Sequence, residues 1–146
     1  MVDTGLLVSL AFDDGPDLMD VHRDIQFGRI SINKGMLIEN IVAQQLKSLG
    51  HSLFYYSWQE PSKTEGSRPR TREIDFLVSR GFEDAAGKPR VTPVEVKSSK
   101  SYSTISLDDF GRRFERRVGE EIVLHPKQLR AEGHRIYLPL YMTIFI

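Results

Sequence analysis

Residues 73–78 read EIDFLV and residues 93–97 read PVEVK, and these two short segments decide the fold predicted for the chain. Both are rich in β-branched or aromatic residues and alternate with a period of two, which predicts strands. Each strand also carries an acidic residue where a buried strand ordinarily has none, Asp75 in the first and Glu95 in the second. If the strands are neighbours, we expect both carboxylates on one face of the sheet with Lys97 beside them.

Strict alternation assigns every side chain of the two strands to a face. It groups the apolar residues on one face of each strand, namely Ile74, Phe76 and Val78 in the first and Val94 and Val96 in the second. Asp75, Glu95 and Lys97 are expected to point the other way.

The flanking sequence predicts two helices and three further strands. Residues 34–49 carry apolar residues at helical spacing and stop before Gly50, and a second helix is expected from an N-cap at Ser106 to residue 118. Strands are predicted at residues 53–58, 73–79, 91–97, 121–125 and 135–138. Because a helix between the third and fourth strands requires a crossover, the sequence predicts an α/β fold. Its sheet is mixed and flanked by helices, in the order αβββαβ with a further C-terminal strand.

The chain is predicted to be one domain, residues 1–146, in which an acidic helical segment at 1–33 precedes a core at 34–146. Six aspartates and two arginines fall within residues 1–31, so the rest of this chain of net charge zero is mildly basic. Residues 59–72 (QEPSKTEGSRPRTR) are predicted to form a long loop.

Several basic side chains are candidates for contacts with the phosphates of a nucleic acid. They are Lys63, Arg68, Arg70 and Arg72 in the predicted loop, together with Lys100. The alternative is that these charges are simply solvated and carry no function.

Composition excludes several classes of protein. The 146 residues include no cysteine, which excludes a disulfide scaffold, a thiolate zinc site and a cysteine nucleophile. Equal numbers of acidic and basic residues exclude a polybasic protein that binds nucleic acid through charge alone. No apolar run approaches the roughly 20 residues of a membrane span, and no signal peptide is recognisable. We therefore expect a cytoplasmic protein that does not contact a membrane.

Two carboxylates at close range repel each other, and a divalent cation removes the repulsion. Asp75 and Glu95 would supply the hard oxygen ligands that Mg²⁺ prefers. Lys97 could then orient a water molecule or neutralise charge in a transition state. The alternative is an exposed sheet face with ordinary salt bridges.

Asp75, followed 20 residues later by Glu95-Val96-Lys97, resembles the PD-(D/E)xK signature of restriction-endonuclease-like nucleases. Those folds also carry an acid on the helix before the sheet, and Glu39 stands at the matching place. The resemblance implies that Glu39, Asp75 and Glu95 hold Mg²⁺ or Mn²⁺ and that Lys97 completes the catalytic set. The signature's proline is absent, because Ile74 precedes Asp75.

A closer resemblance covers most of the chain. It rests on DTGLL at 3–7, KGMLIENIVAQQL at 34–46, EIDFLV at 73–78, PVEVKSS at 93–99 and IYLPLY at 136–141. Together these segments resemble the C-terminal domain, of unknown function, of prokaryotic AAA-type ATPases. The resemblance implies a fragment whose partner is the ATPase module of a longer chain, and it leaves a homo-oligomer open. No GxxxxGK[ST] loop occurs, so we expect neither nucleotide binding nor ATP hydrolysis.

Two functional hypotheses follow from different classes of protein. The first is a metal-dependent nuclease in which water attacks a DNA phosphodiester at the carboxylates. The second is a non-catalytic module that regulates the ATPase or binds a protein or nucleic acid.

Overall fold

A computed structural model describes residues 34–61, 69–81, 83 and 87–146. The predicted acidic helical segment at 1–33 and the candidates Lys63 and Arg68 lie outside these described residues. Within the described ranges the elements are α1 (Lys34–Ser48), β1 (Phe54–Glu60), β2 (Arg70–Val78), β3 (Thr92–Val96), α2 (Ile105–Arg113), β4 (Glu121–His125), β5 (Arg130–Glu132), β6 (Arg135–Pro139) and a 3₁₀ helix (Leu140–Phe145). The predicted order is confirmed, with β5 as an addition that is too short to show a sequence pattern. No helix in these ranges is long and apolar enough to cross a bilayer.

The strands form one mixed sheet in the order β1-β2-β3-β4-β6-β5. β1 pairs antiparallel with β2, and β2 pairs antiparallel with β3. β4 pairs parallel with both β3 and β6, and β5 pairs antiparallel with β6 at the edge of the sheet. The crossover from β3 to β4 contains α2, as the sequence predicts. The prediction that β2 and β3 are adjacent strands, on which the candidate site depends, is confirmed.

Apolar side chains cover both faces of the sheet. The first cluster contains α1 residues and consists of Val42, Leu46, Val78, Val94, Val96, Ile122, Leu124, Leu138 and Ile146. The second contains α2 residues and consists of Ile74, Leu107, Phe110, Val118, Val123 and Tyr137. The parallel strands are therefore buried between helices on both faces, as such strands usually are.

α1 ends where its sequence indicates. Gly50 adopts φ 91°, and the N–H groups of Gly50 and His51 donate to the carbonyls of Lys47 and Leu46. This pattern is a Schellman motif, in which glycine takes the left-handed conformation at no steric cost.

β2 contains a β-bulge opposite β1. The pairs Tyr56↔Ile74 and Phe54↔Leu77 are two residues apart on β1 but three residues apart on β2. Asp75 lies inside this bulge, where one strand carries an extra residue and the alternation of side chains is interrupted.

The bulge overturns one prediction about the faces of β2. Ile74 packs in the α2-side cluster, whereas Phe76 contacts the α1-side cluster and Val78 belongs to it. The prediction that all three share a face is wrong, because the extra residue shifts the period-2 pattern by one position.

The loop predicted at 59–72 is shorter than expected. β1 continues to Glu60, β2 begins at Arg70, and these two residues are paired in register. Backbone pairing in the hairpin therefore outweighs the polar composition of the segment, and Arg70 and Arg72 are strand residues.

The second helix is also shorter than predicted. It follows an N-cap at Thr104, not Ser106, and ends at Arg113. The chain then bends so that Val91 accepts from Gly119 and donates to Arg117, both at 2.9 Å. This pairing draws the segment toward the sheet and prevents the helix from reaching residue 118.

Candidate functional site

The bulge in β2 positions the carboxylate of Asp75. The last β2–β3 pair is Phe76↔Val94, and one step beyond it Asp75 Oδ2 accepts the backbone N–H of Val96 at 2.6 Å. Burial raises the pKa of Asp75, while this hydrogen bond and the charge of Lys97 oppose the rise. This hydrogen bond thus holds the carboxylate at the end of the β2–β3 ladder.

Glu95 lies in β3 and is almost completely buried, with 3% of its surface exposed. Its Oε1 atom accepts from Lys97 Nζ at 2.7 Å, whereas its Oε2 atom is buried without a hydrogen-bond partner. Burial raises its pKa, the bond to Lys97 lowers it, and the charge of Asp75 raises it again. Glu95 therefore presents one buried oxygen with an unused acceptor capacity.

Glu39 belongs to α1 and faces the same group of charges. Burial raises its pKa, and the carboxylates of Asp75 and Glu73 raise it further, against the charge of Lys97. The sequence analysis did not predict this effect of Glu73, although Glu73 stands two residues before Asp75 in the same strand.

Lys97 is the cation common to the three predicted acids. Its charge lowers the pKa values of Glu39, Asp75 and Glu95, opposing the effect of burial in each case. Its backbone N–H donates to the Leu124 carbonyl at 2.8 Å, which continues the pairing of β3 with β4. The sheet thus fixes the backbone of Lys97, and the ammonium group pairs with Glu95 Oε1.

The arrangement suits a cation held by two carboxylates rather than by three. Among the residues that the structure describes, no group of three or more His, Asp or Glu side chains converges closely enough to hold a metal ion. Asp75 and the unpartnered oxygen of Glu95 could supply two of the ligands of Mg²⁺ or Mn²⁺, because Mg²⁺ usually takes one or two carboxylates and keeps several waters. Glu39 of α1 is a further acid whose charge interacts with that of Asp75.

The three predicted basic residues that the structure describes lie in three different places. Arg72 pairs with Glu60 at 2.9 Å and with Asp109 of α2 at 3.4 Å, so its charge is already compensated. Arg70 lies at the far end of the same hairpin, away from the carboxylates. Lys100 lies three residues after Lys97 and lines a groove in the surface.

The family described as Domain of unknown function (DUF4143) matches residues 34–143. The chain belongs to this family. The match begins with the first residue of α1 and ends in the 3₁₀ helix, so every carboxylate and lysine of the candidate site falls inside the DUF4143 domain. The predicted resemblance to a domain of unknown function is confirmed at this level. No curated protein and no solved structure matches the chain.

Proposed function

We propose that this DUF4143 domain binds Mg²⁺ or Mn²⁺ at Asp75 and Glu95 and hydrolyses phosphodiester bonds of DNA there. The observation that carries the proposal is the buried Glu95 Oε2 atom without a partner. A buried polar atom left unsatisfied costs about 1–3 kcal/mol, and more when it is charged. A cation between Glu95 and Asp75 would remove this cost.

Each residue of the site has a role in such a reaction. Asp75 and Glu95 would hold the cation, and the Val96 N–H keeps Asp75 in its orientation. When bound, the cation would polarise the phosphate and lower the pKa of a water molecule. Lys97 would neutralise charge that develops on the phosphate, and Glu39 would accept a proton or a hydrogen bond from water.

We infer a restriction-endonuclease-like core as the finer fold. The order of helix, three antiparallel strands, crossover helix and parallel strand supports it, as does the position of Glu39 before the sheet. The partner that the resemblance to AAA-type ATPases implies is an ATPase module, which would bring DNA to the site or control access to it.

A second candidate function is a non-catalytic module of the ATPase. The ion pair between Lys97 and Glu95 favours it, because it compensates part of the acidic charge without a metal. In that case the carboxylates and the lysine would only stabilise the end of the β2–β3 ladder.

Titration with Mn²⁺, combined with a nuclease assay on plasmid, single-stranded and branched DNA, tests the proposal. The informative variants are Asp75→Asn, Glu95→Gln and Lys97→Ala, with Glu115→Gln as a control that removes an exposed carboxylate outside the site. We expect the two carboxylate variants to weaken Mn²⁺ binding at least about tenfold, because each removes a charged ligand. Lys97→Ala should keep Mn²⁺ binding and lose cleavage.

The outcomes separate the two candidates. Mn²⁺ binding that depends on Asp75 and Glu95, without cleavage of any substrate, would favour the non-catalytic module. Cleavage that survives Asp75→Asn, or is lost equally in Glu115→Gln, would contradict the site assignment.

A further inference from the structure

A groove of about 720 Å³ opens at the carboxyl ends of the parallel strands. Its walls come from the bend after β3, from the end of β4 with the loop that follows it, and from the start of the 3₁₀ helix. The residues that matter for its chemistry are Lys100, His125, Lys127, Leu129, Arg130 and Tyr141. Ligands of α/β sheets commonly bind at this end of parallel strands.

The groove is basic. Lys100, Lys127 and Arg130 line it, and no acidic residue of the described chain does. Arg130 pairs with Glu132 outside the groove at 2.6 Å, and both side chains are about half exposed, so this ion pair is weak. The lining therefore attracts anions although the chain as a whole has no net charge.

An aromatic side chain is exposed beside these cations. Tyr141 is 78% exposed, and Leu129, which also lines the groove, is 54% exposed. Exposed aromatic rings among basic side chains are typical of surfaces on which unpaired nucleic-acid bases stack.

Buried groups hold the wall of the groove in place. His125 is fully buried and hydrogen-bonds Tyr102 at 2.7 Å and the Gln128 carbonyl at 3.2 Å. Lys127 lies over the Tyr102 ring at 5.2 Å, and Arg130 lies over the Tyr137 ring at 3.8 Å. The two cations are thus oriented before any ligand arrives, which reduces the entropic cost of binding.

The groove adjoins the carboxylates. Lys97 N–H donates to the Leu124 carbonyl, and the next residue, His125, lines the groove. Glu95 pairs with Val123, so the groove begins about two residues further along β4, or roughly 7 Å. The register therefore places the start of the groove close to the backbone of Glu95.

We propose that this groove binds a single nucleic-acid strand, with its phosphates on Lys100 and Lys127 and an unpaired base on Tyr141. The inference rests on the proposed function only in that the bound strand then has a phosphodiester to deliver to Asp75 and Glu95. Binding itself needs no metal and no cleavage.

Fluorescence anisotropy with labelled 12-nucleotide single strands of DNA and of RNA, in EDTA and over a range of salt, tests the groove. Lys100→Gln/Lys127→Gln should weaken binding at least about tenfold and reduce the salt slope by about 1.4, since each single-strand phosphate contact contributes roughly 0.7. Tyr141→Ala should weaken binding at least about fivefold, and Tyr141→Phe should retain it, because stacking needs the ring and not the hydroxyl.

The matched control is Arg113→Gln/Arg116→Gln, which removes two exposed charges, one from the last residue of α2 and one from the turn that follows it. It fits because Arg113 also lies over an aromatic ring, that of Phe114 at 5.7 Å, as Lys127 does. This control should bind the single strands within about twofold of the unmodified chain. If the control loses as much affinity for the single strands as Lys100→Gln/Lys127→Gln does, general electrostatic attraction explains the binding and the groove proposal is overturned.

Three further arms separate the remaining outcomes. Preference for the DNA or the RNA strand identifies which strand the groove takes, whereas equal binding of a duplex or tighter binding of a poly-glutamate peptide overturns the inference. Groove-dependent binding without Mn²⁺ binding or cleavage overturns the proposed function alone. If the chain cleaves DNA but substitution of Lys100, Lys127 and Tyr141 leaves its affinity for single strands unchanged, the groove proposal alone is overturned.

Discussion

The carboxylate of Asp75 accepts the backbone N–H of Val96 at 2.6 Å, so a side chain closes the β2–β3 ladder where a carbonyl would ordinarily do so. The bulge beside it frees the carboxylate for this bond. The same bond orients a carboxylate whose charge acts on both Glu39 and Glu95. The bulge in β2 thus accounts both for the irregular strand and for the position of the Asp75 carboxylate in the candidate site.

The three carboxylates should make stability depend on pH. Burial raises the pKa values of Glu39, Asp75 and Glu95 above the ordinary 3.8 of Asp and 4.5 of Glu, so protons bind the folded chain more tightly than the unfolded one. Their contribution is fully present below about pH 4 and is lost as pH rises through the raised values. In urea unfolding, Asp75→Asn/Glu95→Gln should be more stable than the unmodified chain at pH 8, on the order of 1 kcal/mol, and the difference should shrink as pH falls to about 4. A difference in the free energy of unfolding that stays constant between pH 4 and pH 8 would contradict this. Glu115→Gln serves as the control.

Gly111→Ala should destabilise the chain although alanine favours helices. A Cβ atom at Gly111 in α2 would overlap Oε1 of Glu121, which is 1% exposed and held by Arg135. We expect a loss of about 1–3 kcal/mol in the free energy of unfolding, against the gain of about 1 kcal/mol that helix propensity alone predicts. In a Glu121→Ala background the same substitution should be neutral or stabilising. A gain in stability in the unmodified background would show that Glu121 can move aside.

Arg135→Met should cost about 3–5 kcal/mol, because it removes the guanidinium that compensates the buried carboxylate of Glu121. Arg135 donates to Glu121 Oε2 at 2.7 Å through Nε, and the Glu121 side chain is only 2% exposed. Glu132→Gln, which breaks the exposed pair with Arg130, should cost less than about 1 kcal/mol. Urea unfolding at pH 7 measures both, and equal losses would argue that burial does not distinguish the two pairs.

The ring of His125 should remain neutral at pH values at which a histidine side chain ordinarily binds a second proton. Its Nε2 atom can only donate to the Gln128 carbonyl, so Nδ1 accepts from the Tyr102 hydroxyl. Burial lowers the pKa of His125 from 6.5. Its contribution to stability is therefore present above pH 6.5 and is lost as pH falls through the lowered value. Imidazole ¹⁵N shifts should report the Nε2–H tautomer at pH 6.5, and a protonated ring at that pH would refute the assignment.

The Tyr102 hydroxyl should contribute measurably to that histidine's environment. Tyr102→Phe removes the donor to Nδ1 and should lower the free energy of unfolding at pH 7.5 by about 1 kcal/mol. Tyr55→Phe is the matched control, because Tyr55 is 72% exposed on β1 and should tolerate the change. Equal stability of the two variants would mean that water replaces the lost hydroxyl.

Local sequence patterns were enough to predict the elements whose signals are strong. Alternation and turn residues located β2, β3 and β4, and Gly50 located the end of α1, because these signals act within a few residues. The errors arose where distant segments compete for the same backbone. The hairpin extended β1 to Glu60, and pairing with Val91 ended α2 early.

The candidate site divides in the same way. The spacing of Asp75, Glu95 and Lys97 and the helical position of Glu39 are readable from the residues alone. The unpartnered oxygen of Glu95 is not, because burial is a property of everything that packs around a residue. Nor is the groove, whose lining residues come from three segments separated by 25 and 11 positions.

The sequence by itself determined the order of helices and strands, the mixed character of the sheet and the placement of two acids on neighbouring strands. These follow from periodicity and chain connectivity, which are local or topological. Only the tertiary structure decided that Ile74 turns to the α2 side, that Asp75 bonds Val96 and that Lys100, Lys127 and Tyr141 meet in one groove. The reason is physical, since a bulge and a groove depend on the register between strands, and register is fixed by packing across the whole sheet.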